Sequence, residues 1–86
     1  GTWSSLYDNS PKDADSNVAR GGNLVAYDSN GNIFVTPDGK LVVADGLKDY
    51  IVADAGDVLL ICPKADEQRI KQMVNDVKMR FDEDYL

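Results

Sequence analysis

Apolar residues come along this chain in short β-type runs: Leu24–Tyr27, Ile33–Val35, Leu41–Ala44, Tyr50–Ala53 and Val58–Cys62. The breaks between them are the turn clusters "DSNGN", "TPDGK", "DGLKD" and "DAGD". Each cluster pairs a glycine, free to adopt positive φ, with an Asp or Asn whose side chain can bond nearby backbone. Gly31, Gly39, Gly46 and Asp49 are the expected turn-formers. The runs also repeat. Leu24, Leu41 and Val58 are 17 apart, which lays "NLVAYD", "KLVVAD" and "DVLLIC" on one another; "NIFVT" and "YIVAD" align at a spacing of 18. A solenoid that stacks parallel strands produces such a period. An antiparallel meander competes with it, because Asn30-Gly31 and Asp38-Gly39 are strong hairpin signals. On periodicity alone the two are level.

The flanks differ in character. The first 22 residues are rich in Asp, Ser, Asn and Gly and read as a loop or linker carrying one aromatic patch, Trp3, Leu6 and Tyr7. At the other end, Ile70, Met73, Val74, Val77 and Phe81 recur with helical spacing and share one face, opposite Gln68, Lys71, Gln72 and Asn75. Pro63 suits the entrance of that helix, Asp66 and Glu67 its first turn, and Lys78 and Arg80 its end. A lone amphipathic helix cannot bury its stripe, so this one is expected to lie across the strands or against another domain, with Met73 and Phe81 as core. The organisation expected is one domain: a linker over 1–22, strands over 23–62, a helix over 63–81 and a tail over 82–86.

Length permits one small domain, since a chain of 86 residues buries only about 60% of its unfolded surface. A net charge of −6 argues against nucleic acid or anionic lipid as a partner, because phosphate binding needs clustered Lys and Arg. No apolar run approaches the ~20 residues that span a bilayer, so no membrane partner is expected. Gly1 in place of an initiator methionine suggests a piece of a longer protein. The single cysteine, Cys62, excludes an internal disulfide, and with no histidine in the chain it reads as a small hydrophobe in a reducing, cytoplasmic setting.

Candidate chemistry is thin. "DADSNV" places Asp13, Asp15 and Asn17 as in a calcium loop, but Val18 and Leu24 stand where that loop needs Gly and Glu. Asx-type turns explain it better. Asp45, Asp49, Asp54 and Asp57 all fall at strand ends, where turn chemistry accounts for them; Gly21-Gly22 lacks the strand before it and the Lys-Ser/Thr after it that a phosphate cradle needs. Ser4 and Ser5 have no base. No catalytic, cofactor-binding or metal-binding residue is therefore assigned, and the chain is not expected to be an enzyme by itself.

Three stretches together carry a resemblance: "GTWSSLYD", "NVARGGNLVAYDSNGNIFV" and "GKLVVADGLKDYIVADAGDVLLICPKADEQRIKQMVNDVK". They resemble the C-terminal region of bacterial mannose-1-phosphate guanylyltransferases from Thr2 to about Lys78. Trp3 and Ser5 match a Gly-x-Trp-x-Ser segment; Val18, Arg20 and Gly21 a Val-x-Arg-Gly; Asp28, Ser29 and Asn32 a polar turn; Gly46, Leu47 and Asp49 a Gly-Leu-x-Asp turn. Tyr7 stands where Trp is common, Gly22 where an acid is common and Lys48 where Glu is common; Ala55-Gly56 replaces a hydroxyl-bearing turn residue. The resemblance implies a parent enzyme that joins GTP and mannose 1-phosphate into GDP-mannose, releasing pyrophosphate with magnesium assisting. Its catalytic N-terminal domain carries Gly-x-Gly-x-Arg and Glu-Lys-Pro signatures that this chain lacks, so no catalytic residue transfers.

For this chain the resemblance implies a short left-handed parallel β-helix that packs on the catalytic domain and takes part in homodimer contacts. That tips the choice toward the solenoid. Trp3, Leu6 and Tyr7 are the expected docking patch. The alternative is a free-standing interaction or carbohydrate-binding β-module, which would line aromatic residues such as Tyr27 and Phe34 along one exposed face.

Overall fold

A computed structural model describes residues 2–81; the tail expected over 82–86 lies outside them. The elements are α1 (Trp3–Asn9), β1 (Val18–Arg20), β2 (Asn23–Tyr27), β3 (Ile33–Val35), β4 (Leu41–Asp45), β5 (Tyr50–Asp54), β6 (Leu59–Pro63), a 3₁₀ segment (Lys64–Arg69) and α2 (Ile70–Arg80). The strands form two sheets. One has the order β1-β3-β5-β6 and the other is the pair β2-β4.

From β1 to β5 successive strands therefore alternate between sheets, and β1, β2 and β3 each pair in parallel with the strand two places on. This is the winding of a parallel β-helix, not a meander. Asn30-Gly31 and Asp38-Gly39 sit at its corners instead of closing hairpins. The one antiparallel pair is β5-β6, in which Ile51 faces Cys62. Gly56 at φ 103°, the Ala55 N–H donating to Val58 C=O at 2.9 Å, and the Gly56 N–H donating to Asp54 Oδ1 at 2.8 Å close that hairpin.

From β2 onward the stacking period is 18, not 17, while β1 stacks on β3 at 15. Asn23 pairs with Leu41, Leu24 with Val42, and Ile33 with Ile51. A 17-residue register would have placed inward-facing Leu24 against Leu41, which is 58% exposed. Strand side chains alternate faces, so a register one residue off turns a strand inside out; the observed one keeps half-buried Leu24 on half-buried Val42. "DVLLIC" likewise does not stack on "KLVVAD": it turns back along β5.

Phe34, Ala44 and Val52 form the core between the sheets, flanked by Leu24, Val42 and Leu47. Val18, Ile33, Ile51 and Cys62 are also buried. Ile33 and Ile51 line a cleft together with Trp3 and Tyr7 of α1, which places them on the side of the first sheet away from that core.

The stretch read as a loop over 1–22 contains both α1 and the first strand. Thr2 caps α1, its Oγ1 accepting from the Ser5 N–H at 3.1 Å. The Ser4 backbone N–H and hydroxyl both donate to Glu67 on the 3₁₀ segment, which ties the start of the chain to its last third. The C-terminal helix is shorter than expected. Pro63 ends β6, Asp66 breaks helical geometry (φ −102°, ψ 17°), and only Ile70–Arg80 is α-helical. Ile70, Met73, Val74 and Val77 are half-buried, while Phe81 is 66% exposed and is not core.

A candidate association surface

The corners determine what the surface can be. Ser16, Gly31 and Asp49 occupy equivalent corner positions, each two residues before the paired triplet Val18, Ile33 and Ile51, and each has positive φ (63°, 71° and 59°). Asp28 and Gly46 form a second equivalent pair (47° and 75°), following the paired residues Tyr27 and Asp45. Gly39 stands at φ 82° in the connection between β3 and β4.

One row of corners is held together by buried amides. Asn17 Nδ2 donates to Ser29 C=O at 3.0 Å, and Asn17 Oδ1 accepts from the Asn32 backbone N–H at 3.0 Å and from Asn32 Nδ2 at 3.1 Å. Asn32 Nδ2 also donates to Leu47 C=O at 2.7 Å, and Asn32 Oδ1 accepts from the Tyr50 N–H at 2.8 Å. Ser29 Oγ donates to Tyr27 C=O and accepts from the Leu47 N–H. A polar group buried without partners is costly, and here each turn of the chain satisfies the next.

The stretch with calcium-like spacing forms part of this ladder. Asn17 is buried, and Asp13 Oδ1 accepts from the N–H groups of Asp15 and Asn17, both at 2.9 Å, as an Asx turn does. Among the described residues no group of three or more His, Cys, Asp or Glu is placed to hold a metal ion. Cys62 is buried, and burial, with Asp66 nearby, pushes its thiol pKa up, which opposes thiolate chemistry. Asp54 accepts from Lys40 and from the Gly56 N–H, and both hold its carboxyl below the usual range. That pair braces β5 against the β3–β4 corner.

What remains is apolar surface. Trp3, Leu6 and Tyr7 are each half-buried on α1. Tyr7 is engaged within the domain: its hydroxyl donates to Ser16 C=O at 2.7 Å, and Lys64 Nζ lies 3.7 Å from the ring centre. Trp3 lines clefts on both sides of α1, one with Ile33 and Ile51 and one with Arg20 and Val35. The larger exposed apolar surface lies elsewhere, on Val25 and Tyr27 of β2, Leu41 and Val43 of β4, and Leu59 and Ile61 of β6. Between β4 and β6 it sinks into a groove of about 580 Å³, whose lining includes the Lys40–Asp54 pair. Alternation of these residues with inward-facing neighbours was visible in the sequence, but only the 18-residue register shows which set faces out. The aromatic face of a carbohydrate-binding module does not form, because Phe34 is in the core while Tyr27 is exposed.

Comparison with known proteins agrees with this architecture. The MannoseP isomerase/GMP-like beta-helix domain family matches residues 22–77. The alginate biosynthesis protein AlgA of Pseudomonas aeruginosa is 42% identical over 77 residues, which is 90% of this chain and 16% of that protein. Mannose-1-phosphate guanylyltransferase 2 of Escherichia coli O157:H7 is 30% identical over 86 residues, 100% of this chain and 17% of that one. A crystal structure described as mannose-1-phosphate geranyltransferase from Thermus thermophilus superposes with a TM-score of 0.75 at 29% identity, covering 90% of this chain and 23% of that one. The chain thus spans about a sixth of the length of the curated relatives it matches. Winding, register and the match over its central 56 residues agree: the chain belongs to the MannoseP isomerase/GMP-like beta-helix domain family.

Proposed function

We propose that this chain is the C-terminal association domain of a mannose-1-phosphate guanylyltransferase, wound left-handed, and that the longer polypeptide makes GDP-mannose and pyrophosphate from GTP and mannose 1-phosphate. The observation that carries this is that nearly the whole chain, 91% and 100% of it, matches only 16% and 17% of relatives named as mannose-1-phosphate guanylyltransferases. The magnesium ion that assists the transfer would be held by the catalytic domain. The role of this domain is mechanical: it offers a rigid, apolar face to that domain and to a second subunit, in the cytoplasm. No described helix is long and apolar enough to cross a membrane.

The test is the coding sequence upstream of Thr2. A Gly-x-Gly-x-Arg signature and a Glu-Lys-Pro signature in the same reading frame are expected. An upstream frame without them contradicts the proposal.

A further inference from the structure

Asn30-Gly31 is the only Asn-Gly step in the chain. In an unstructured peptide this step is labile, because glycine leaves its own amide nitrogen unshielded beside the asparagine side chain. Here it lies at a corner of the coil, and its two residues sit differently. The Asn30 side chain is exposed and its amide makes no hydrogen bond among the described residues, while Gly31 and Asn32 are buried. The backbone of the step is bonded to the turns on either side. The Asn30 N–H donates to Leu47 C=O at 3.1 Å, the Asp49 N–H to Asn30 C=O at 3.0 Å, and the Gly31 N–H to Asp15 C=O at 3.3 Å.

We propose that Asn30-Gly31 is a site of spontaneous deamidation that the folded corner holds shut, so that isoaspartate at position 30 records opening of the corner. The Gly31 nitrogen attacks Cγ of Asn30 and closes a five-membered succinimide. Its N–H proton goes to solvent base, and the side-chain nitrogen takes up a proton and leaves as ammonia. Water then opens the ring at one of its two carbonyl carbons. Opening at Cγ restores the main chain and gives aspartate. Opening at the main-chain carbonyl carbon gives isoaspartate, in which the main chain runs through the side-chain CH2. The net change consumes one water and releases one ammonia, with no oxidation.

Three features of the corner oppose ring closure. The Gly31 N–H must give up Asp15, and the Asn30 peptide must swing out of the bridge it forms with Lys48. The Asp49 carboxylate lies against Gly31, its Oδ1 filling the place a Cβ would take, and a negative charge there disfavours loss of the amide proton. Burial of Gly31 keeps base away from that proton. Reaction therefore proceeds from the open corner, at the peptide's rate scaled by the fraction open. The product also keeps the corner from closing. Isoaspartate adds a carbon to the main chain just before Asn32, whose bonds to Asn17 and Tyr50 then fall out of step. Charge is not the obstacle, since an ordinary aspartate at this position faces Lys48 across the bridge.

Peptide mapping by mass spectrometry, with enzymatic isoaspartate labelling, tests the proposal on the 86-residue chain aged at mildly alkaline pH. In denaturing urea, position 30 should deamidate as fast as the free peptide Ser29–Ile33; in buffer it should be slower by about tenfold or more. Asn32→Ala, which loosens the same corner, should raise the rate in buffer, with circular dichroism confirming that the variant is folded. Freshly prepared Asn30→Asp should melt close to the unsubstituted chain, while the purified isoaspartyl form melts lower. Equal rates in buffer and in urea overturn the proposal, and that comparison needs no variant. So does a folded Asn32→Ala chain with an unchanged rate, or an Asn30→Asp chain as unstable as the isoaspartyl form. None of these outcomes bears on the guanylyltransferase reading, which depends on the residues preceding Thr2.

Discussion

Asn32 shows what single residues contribute to this fold. It is fully buried, and its side-chain amide bonds to the turns on either side of its own: Asn17 on the one before, Leu47 and Tyr50 on the one after. Removing it takes the acceptor from the Tyr50 N–H and one of two donors from the Leu47 carbonyl, which keeps the Asn30 N–H. Asn32→Ala should therefore lower the unfolding free energy by about 2 kcal/mol or more in urea denaturation, well beyond an exposed Asn→Ala change. Gly21 and Gly39 offer a sharper comparison. Both have positive φ, 90° and 82°, but a Cβ at Gly21 would sit 1.8 Å from the Thr36 carbonyl oxygen, while one at Gly39 meets nothing. Gly39→Ala should cost about 1 kcal/mol from backbone strain alone. Gly21→Ala should cost clearly more, or abolish the cooperative thermal transition, because only backbone movement relieves the clash. The turn glycines were legible in the sequence, since few other residues tolerate such corners. The buried asparagines were not: Asn17 and Asn32 look like ordinary turn residues until the levels are stacked and each is seen to satisfy the next.

Elements were legible in proportion to how local their causes are. Each β-branched run became a strand, because alternation and flanking turns act within a few residues. The reversal of β6 was not legible, since its sequence fits a third level as well as a hairpin. The tight Asp54–Val58 turn decides between them, through the Asp54–Gly56 and Ala55–Val58 bonds. Nor was α1, a seven-residue helix too short to be stable alone. It holds because Thr2 caps it, Glu67 accepts from Ser4, and Trp3 and Tyr7 lie beside Ile33 and Ile51. Trp3 is the only tryptophan in the chain, so it reports on its own docking. Trp3→Ala should destabilise the isolated chain by about 1–2 kcal/mol, in keeping with its half-buried position. In the unsubstituted chain, its fluorescence change should coincide with loss of the β-sheet circular dichroism signal. A fluorescence transition well ahead of the circular dichroism one would show that α1 is not part of the cooperative unit.

At the scale of the whole molecule, stability and function draw on different surfaces. The core is small: Phe34, Ala44 and Val52 between the sheets, supplemented by residues under α1. Outside it lie the apolar face of β2, β4 and β6, and the half-buried stripe of α2. A small domain that leaves this much apolar surface in water is shaped for contact with something larger. The family resemblance was legible from the motifs at the corners, because corner geometry constrains residue identity most tightly. The location of the contact surface was not, because which side of each strand faces out depends on a register that differs from the apparent repeat by one residue. As proposed above, this chain is a platform whose partner performs the chemistry. Guanylyl transfer measures that most directly, with GTP, mannose 1-phosphate and magnesium supplied to the 86-residue chain and, separately, to the polypeptide extended upstream through its natural reading frame. The extended polypeptide should form GDP-mannose and pyrophosphate while the chain alone forms none; turnover by the chain alone, or its absence from the extended polypeptide, would contradict the account.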